Sequence, residues 1–215
     1  MVERTNYEAH SLDDLMGEVL RELLEDGEYV TATRSRELGG FTEIIGASLV
    51  LSNPRARLSR SESKGKVFSA LGEFLWYMSG SNSLDFINYY IPGVYERESE
   101  NGVVHSGYGD RLFERFGANQ LETVIAKLKS SPTSRQAVIQ IFSASDFQYR
   151  SVPCTCTLQF LLRNDCLNLV VNMRSNDAYL GLPHDVFAFT MIQELLARSL
   201  DVDIGSYRHF VGSLH

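Results

Sequence analysis

The sequence predicts a mixed α+β fold, and three observations carry that prediction. Amphipathic helical stretches and β-branched runs are interspersed without strict strand–helix–strand alternation. Three strand-like runs follow one another between residues 136 and 173. The chain has 215 residues, 44% of them apolar, with no Gly/Ser linker, low-complexity tract or repeat, so residues 1–215 read as one domain.

The elements follow in order. "SLDDLMGEVLRELLEDG" sets Leu12, Leu15, Met16, Val19, Leu20, Leu23 and Leu24 on one helical face, with Ser11 as its cap and Gly27 as its stop. "FTEIIGASLVL" is apolar and β-branched, a strand ended by "SNP". "GKVFSALGEFLWYMSG" reads as a mostly buried helix with Gly80 beyond its C-terminus. "NQLETVIAKLKSSP" is a short amphipathic helix closed by Pro132. The runs "QAVIQIF", "TLQFLL" and "CLNLVVNM" are strands, "DVFAFTMIQELLARSL" is a long apolar helix, and a last strand falls within 204–212.

Composition excludes several classes. No apolar run approaches the ~20 residues that span a bilayer. The N-terminus "MVERTNYEAHSLDD" lacks the apolar core of a secretion signal. Three cysteines, Cys154, Cys156 and Cys166, fit a reducing compartment better than a disulfide framework. The expectation is a soluble cytoplasmic protein. A net charge of −7 opposes a broad nucleic-acid surface, so arginines for an anionic ligand must be gathered locally.

Several residues could carry chemistry. Cys154, after a proline at the head of a strand, is either a nucleophile at the sheet rim or a buried free cysteine. Cys154-x-Cys156 lacks the second Cys/His pair that zinc requires. Arg174 and Ser175 offer a guanidinium fork and a hydroxyl suited to a phosphate monoester, or else a solvated turn. Asp185 stands where the N-cap of a 186–200 helix would fall, so it either caps or does chemistry. Glu73, among apolar neighbours in "ALGEFLWYM", is a buried functional carboxylate or an exposed helix position.

Taken in order, "PC…QF", "RSND…G.P.D" and "GS.H" resemble the thymidylate synthase superfamily from about residue 30 to the C-terminus. Within it the chain is most similar to the cytidylate hydroxymethylases, through "TEIIGAS", "VVNMRSND", Asp185 and "VGSLH". The resemblance implies that fold: a mixed sheet with packed helices, in a sheet-to-sheet homodimer. It implies Cys154 as the nucleophile at pyrimidine C6, and Arg36 as a mobile-loop arginine closing on the phosphate. Arg174 and Ser175 match the phosphate-binding pair, and Arg135 matches an arginine donated across the dimer, although Gln136 replaces its usual neighbour. Glu73 matches the carboxylate that organises proton transfer and water, and Tyr108 the active-site tyrosine. Asp177 and Gly181 match residues near the ring and the folate, and His215 the histidine that holds the sugar. The family also continues past His215 to a tyrosine and a closing tail that this sequence does not contain.

The implied activity is conversion of a pyrimidine nucleoside monophosphate, dCMP or CMP, to its 5-hydroxymethyl derivative with 5,10-methylenetetrahydrofolate and water. Thiolate addition at C6 makes C5 a nucleophile, and nearby arginine charge favours the thiolate. An asparagine amide matches uracil. A carboxyl that carries or shares a proton can accept from the 4-amino group of cytosine and donate to N3, which points to Asp185 as the base reader. Synthases carry tryptophans before the active-site tyrosine; here "IPGVYERESENGVVHSGYG" has none and Thr155 replaces a usual histidine, which favours hydration over reduction. Methylation of dUMP and an inactive nucleotide-binding relative are the alternatives. His184 and His209 read as structural, and Arg55, Arg57 or Lys64 as possible contacts to folate carboxylates.

Overall fold

A computed structural model describes residues 4–31, 39–59 and 66–215. Its strands are β1 (Asn6–Ala9), β2 (Glu28–Val30), β3 (Phe41–Leu51), β4 (Val138–Gln140), β5 (Thr155–Arg163), β6 (Cys166–Asn176) and β7 (Asp203–Leu214). Its helices are α1 (Leu12–Glu25), α2 (Lys66–Met78), α3 (Leu84–Tyr90), α4 (Gly109–Phe113), α5 (Gln120–Ser130) and α6 (Gly181–Leu200), with a 3₁₀ turn at Ala144–Gln148. The sheet runs β1-β3-β7-β6-β5-β4, and β2 pairs with β3. β1 lies parallel to β3 and β6 parallel to β7, while the other pairs are antiparallel. The mixed α+β expectation therefore holds.

Alternation sets the two faces of the sheet. Leu167, Leu169, Val171 and Met173 of β6, with Tyr207, His209 and Val211 of β7, point into the core. α6 lies across β6 and β7, α2 packs on α6, and α1 covers β1 and β3. The opposite face leaves Ile45, Phe210 and Val138 exposed. Between β3, β7 and β6 it forms a shallow hollow of about 250 Å³, lined in part by Gly46, Asn172 and Phe210.

Local chemistry explains the boundaries. Ser11 caps α1 by accepting from the Asp14 N–H, and Asn119 caps α5 from Glu122. Gly72 lets α3 close on α2: a Cβ there would stand 2.2 Å from the Tyr90 ring. Two boundaries differ from the sequence expectation. β6 runs on through Arg174, Ser175 and Asn176, because pairing to Ser213 and Leu214 of β7 holds them in the sheet. α6 begins at Gly181, four residues before Asp185. The Asp177 carboxylate accepts the N–H groups of Tyr179 and Leu180 and so turns the chain into that helix. Asp185 is therefore not an N-cap; that reading is corrected.

Among the described residues no helix is long and apolar enough to cross a membrane.

Candidate active site

Two strand ends and two helix faces converge on one constellation. Cys154 immediately precedes β5, half-buried, and its carbonyl accepts the backbone N–H of Arg174 on β6 at 2.9 Å. The Arg174 guanidinium folds back over the cysteine turn. Its Nε donates to the Pro153 carbonyl at 3.0 Å, and Nη2 donates to the Val152 carbonyl at 2.8 Å and lies 3.7 Å from Cys154 Sγ. The solvated-turn reading of "RSND" is thereby corrected: Arg174 is a strand residue bound to the cysteine loop.

Tyr108, just before α4, reaches the same strand head. Its buried hydroxyl accepts from Thr155 N at 3.3 Å and from Thr155 Oγ1 at 2.9 Å, so its own proton is directed elsewhere. Its ring stacks on Tyr77 at 4.7 Å. Burial first pushes the Tyr108 hydroxyl well above its usual range, Asp185 and Cys154 add to the rise when they ionise, and the hydroxyl stays neutral.

Asp185, in the second turn of α6, is 8% exposed. Asn176, the last residue of β6, donates from Nδ2 to its Oδ2 at 2.7 Å. Burial, reinforced by the nearby negative charge of Glu73, pushes the Asp185 carboxyl up to about 8 despite that hydrogen bond. Gly181 permits this approach: a Cβ there would meet Asn176 Nδ2 at 3.1 Å. Among the described residues, Asn176 Oδ1 and His215 Nδ1 are buried without a hydrogen-bond partner. His215 is tied to the same wall, its N–H bound to the Asn176 carbonyl and its carbonyl to the Ala178 N–H.

Glu73, on the α2 face toward α6, is 5% exposed, so the exposed-helix reading falls. Its Oε1 accepts from Tyr77 at 2.7 Å and from Tyr95, and its Oε2 lies 3.0 Å from His184 Nδ1. Burial alone would raise this carboxyl. The His184 hydrogen bond and charge, with those of the two tyrosines, outweigh it and hold the group below its ordinary value. Glu73 is thus an anion and Asp185 a neutral acid, two carboxyls driven apart by their surroundings.

The structure brings together Cys154, Arg174, Ser175, Asp177, Gly181, Asp185, His215, Glu73 and Tyr108. Arg135 does not join them. It is exposed ahead of β4, and since Val138 pairs with Gln159, it falls level with Leu162. At roughly 3.3 Å per residue that is about 26 Å along β5 from Cys154. Arg36 and Lys64 lie outside the described residues. Arg55 and Arg57 both bind Glu194.

Sequence reasoning missed three residues. His184 was read as structural, yet it binds Glu73; its place one residue before Asp185 was the available signal. Asn176 was passed over between Ser175 and Asp177. Tyr95, in the stretch noted for lacking tryptophan, sets its ring 5.2 Å from Trp76 and its hydroxyl on Glu73.

Comparison with known proteins assigns the family. The thymidylate synthase family model matches residues 18–215, and the chain belongs to that family. It is similar to the deoxyuridylate hydroxymethyltransferase of Bacillus phage SP01, 29% identical over 214 residues, covering 92% of this chain and 55% of that protein. It is also similar to the thymidylate synthase of Francisella philomiragia, 24% identical over 217 residues, covering 91% of this chain and 79% of that protein. A Buchnera aphidicola thymidylate synthase is 25% identical over 159 residues, covering 71% and 60%. The chain thus spans about half the length of the phage relative.

Proposed function

We propose that this domain transfers a one-carbon unit from 5,10-methylenetetrahydrofolate to C5 of a cytidine monophosphate, dCMP or CMP, and completes it with water as a hydroxymethyl group. The observation that carries the reading is Asp185, a buried carboxyl that keeps its proton at neutral pH and is oriented by Asn176. Because Asn176 donates to Oδ2, that oxygen is the acceptor and the proton resides on Oδ1. Cytosine asks for this pair: an acceptor for its 4-amino group and a donor for bare N3. The hydrogen bond to N3 also draws electrons from the ring and eases attack at C6.

The remaining residues take roles that their places support. Arg174 and Ser175 receive the phosphate, and the guanidinium beside Sγ stabilises a thiolate there. Cys154 adds to C6, the C5=C6 pair shifts through C4 toward N3, where Asp185 donates its hydrogen bond, and C5 becomes the nucleophile. The bound folate supplies a carbon at the oxidation level of formaldehyde. Phe68 on α2, next to Ser69, and Leu180 at the entry to α6 are exposed apolar side chains that could receive its aromatic part. The orphaned Asn176 Oδ1 and His215 Nδ1 supply a polar wall that a ligand completes. Asp177, already bonded to two backbone N–H groups, acts through the turn that sets Gly181 against the ring.

Arg135, level with a point about 26 Å along β5 from Cys154, would reach a phosphate only in a second copy. The exposed sheet face with Ile45 and Phe210 is the surface on which such a homodimer would form.

A second reading follows from the phage relative, whose name assigns deoxyuridylate. Incubation with equal dCMP, CMP and dUMP plus 5,10-methylenetetrahydrofolate separates the readings by product mass. A 5-hydroxymethylcytidylate is the expected product. 5-Hydroxymethyldeoxyuridylate would establish the second reading, dihydrofolate with a methylated uridylate a synthase, and nucleotide binding without product an inactive relative.

A further inference from the structure

The water that completes hydroxymethylation must lose a proton, and Glu73 is badly placed to take it. Both its oxygens are occupied, Oε1 by two tyrosine hydroxyls and Oε2 by an imidazole. A carboxylate held as an anion by three donors is a poor base and a good anchor. The group it anchors is His184. Because Glu73 can only accept, His184 Nδ1 donates to it. In the neutral ring the lone pair is then on Nε2, which lies 2.9 Å from Ser69 Oγ. Hydroxyl, imidazole and carboxylate thus stand in a row, the arrangement by which an oriented imidazole withdraws a proton from an attacking oxygen. His184 directly precedes Asp185 on α6, and its side chain is 15% exposed against 7% for Glu73, so it is the more open to water.

We propose that His184, oriented by Glu73, is the general base for the water that adds to the transferred carbon; this rests on the hydroxymethyltransferase reading. As the water oxygen bonds to the exocyclic carbon, its proton passes to His184 Nε2. The exocyclic double-bond pair returns to the ring, C5=C6 re-forms, and the C6–S bond breaks to release the Cys154 thiolate. The imidazolium then returns its proton to solvent or to the thiolate. Tyr77 and Tyr95 keep Glu73 in place, and Ser69 Oγ, 2.9 Å from Nε2, swings aside so that the water's oxygen takes its position at that nitrogen.

Reversal of this step tests it without folate. The protein is incubated with 5-hydroxymethyl-dCMP in ¹⁸O-water, and label entering the hydroxymethyl group is followed by mass spectrometry. The wild-type protein should exchange the oxygen. His184→Gln keeps a donor for Glu73 but takes no proton, and should exchange about 10²- to 10⁴-fold more slowly with nucleotide affinity unchanged by calorimetry. Added imidazole should restore exchange to His184→Ala. Wild-type exchange in His184→Gln would overturn the role of His184 and leave the hydroxymethyltransferase reading intact. Nucleotide affinity lost together with exchange would show a brace between α2 and α6 and overturn it as well. A wild-type protein that binds the nucleotide but never exchanges would overturn the underlying reading.

Discussion

At the scale of single residues, the site works by separating two carboxyls. Glu73 is ionised because three donors surround it, and that charge adds to the burial that keeps Asp185 protonated. Asp185→Asn keeps the shape and presents an amide, which matches uracil. The variant should move the dCMP-to-dUMP ratio of kcat/KM toward uracil by about 5- to 150-fold, the value of one unmatched buried polar group. Unaltered selectivity in a competition assay would refute base reading at 185. The same proton predicts a pH limb. Turnover of cytidylate should decline above about pH 8 as Asp185 ionises, and that limb should vanish in the variant acting on dUMP. Stability follows with a defined sign. The folded state holds this proton more tightly than the unfolded chain, so the contribution is complete below about pH 4 and is lost as pH rises through about 8. With about 1.4 kcal/mol per pKa unit, Asp185→Asn should be the more stable protein at pH 8 by several kcal/mol in urea unfolding, and equal to wild type near pH 4.

At the scale of elements, the junction of β6 with α6 makes the site. Strand pairing carries Arg174 to the cysteine turn, and the Asp177 turn brings Asp185 back under Asn176. The apolar periods of α1, α2, α5 and α6 and the runs of β3, β5 and β6 were legible, because one buried face imposes a repeat. β1, β2, α3 and α4 were not: four, three, seven and five residues are too few for a period to show. Cys154, Arg174, Asp185 and Glu73 were found through their order along the chain. His184, Asn176 and Tyr95 were not, since their roles arise from contacts across 111, 9 and 22 positions that no local pattern encodes. One further element matters. Arg111 of α4 is wholly buried and makes a two-pronged pair with Asp146 in the 3₁₀ turn, both distances 2.8 Å. Burial would raise Asp146, but the Arg111 bonds hold it below its usual value. This pair fixes α4 and therefore Tyr108 at its head. Asp146→Ala strands a buried cation and should cost about 3–5 kcal/mol, seen as a lowered Tm. A loss under about 1 kcal/mol would contradict that structural role.

At the scale of the whole molecule, the proposed activity predicts two copies and one covalent bond. Arg135→Ala should weaken phosphate binding, and mixing it with Cys154→Ala should regenerate activity at about a quarter of the sites, because each mixed dimer holds one complete site. No recovery on mixing would mean that Arg135 serves no neighbouring subunit. The covalent bond is the more direct test. A fluorine at C5 cannot depart as a proton does, so a 5-fluorinated nucleotide should remain attached after the carbon unit is transferred. Mass spectrometry of the protein treated with 5,10-methylenetetrahydrofolate and either 5-fluoro-dCMP or 5-fluoro-dUMP should find the cytosine adduct, on the peptide holding Cys154, in excess. An adduct on another residue, none at all, or equal labelling by both bases would contradict a thiol that attacks a base chosen by Asp185.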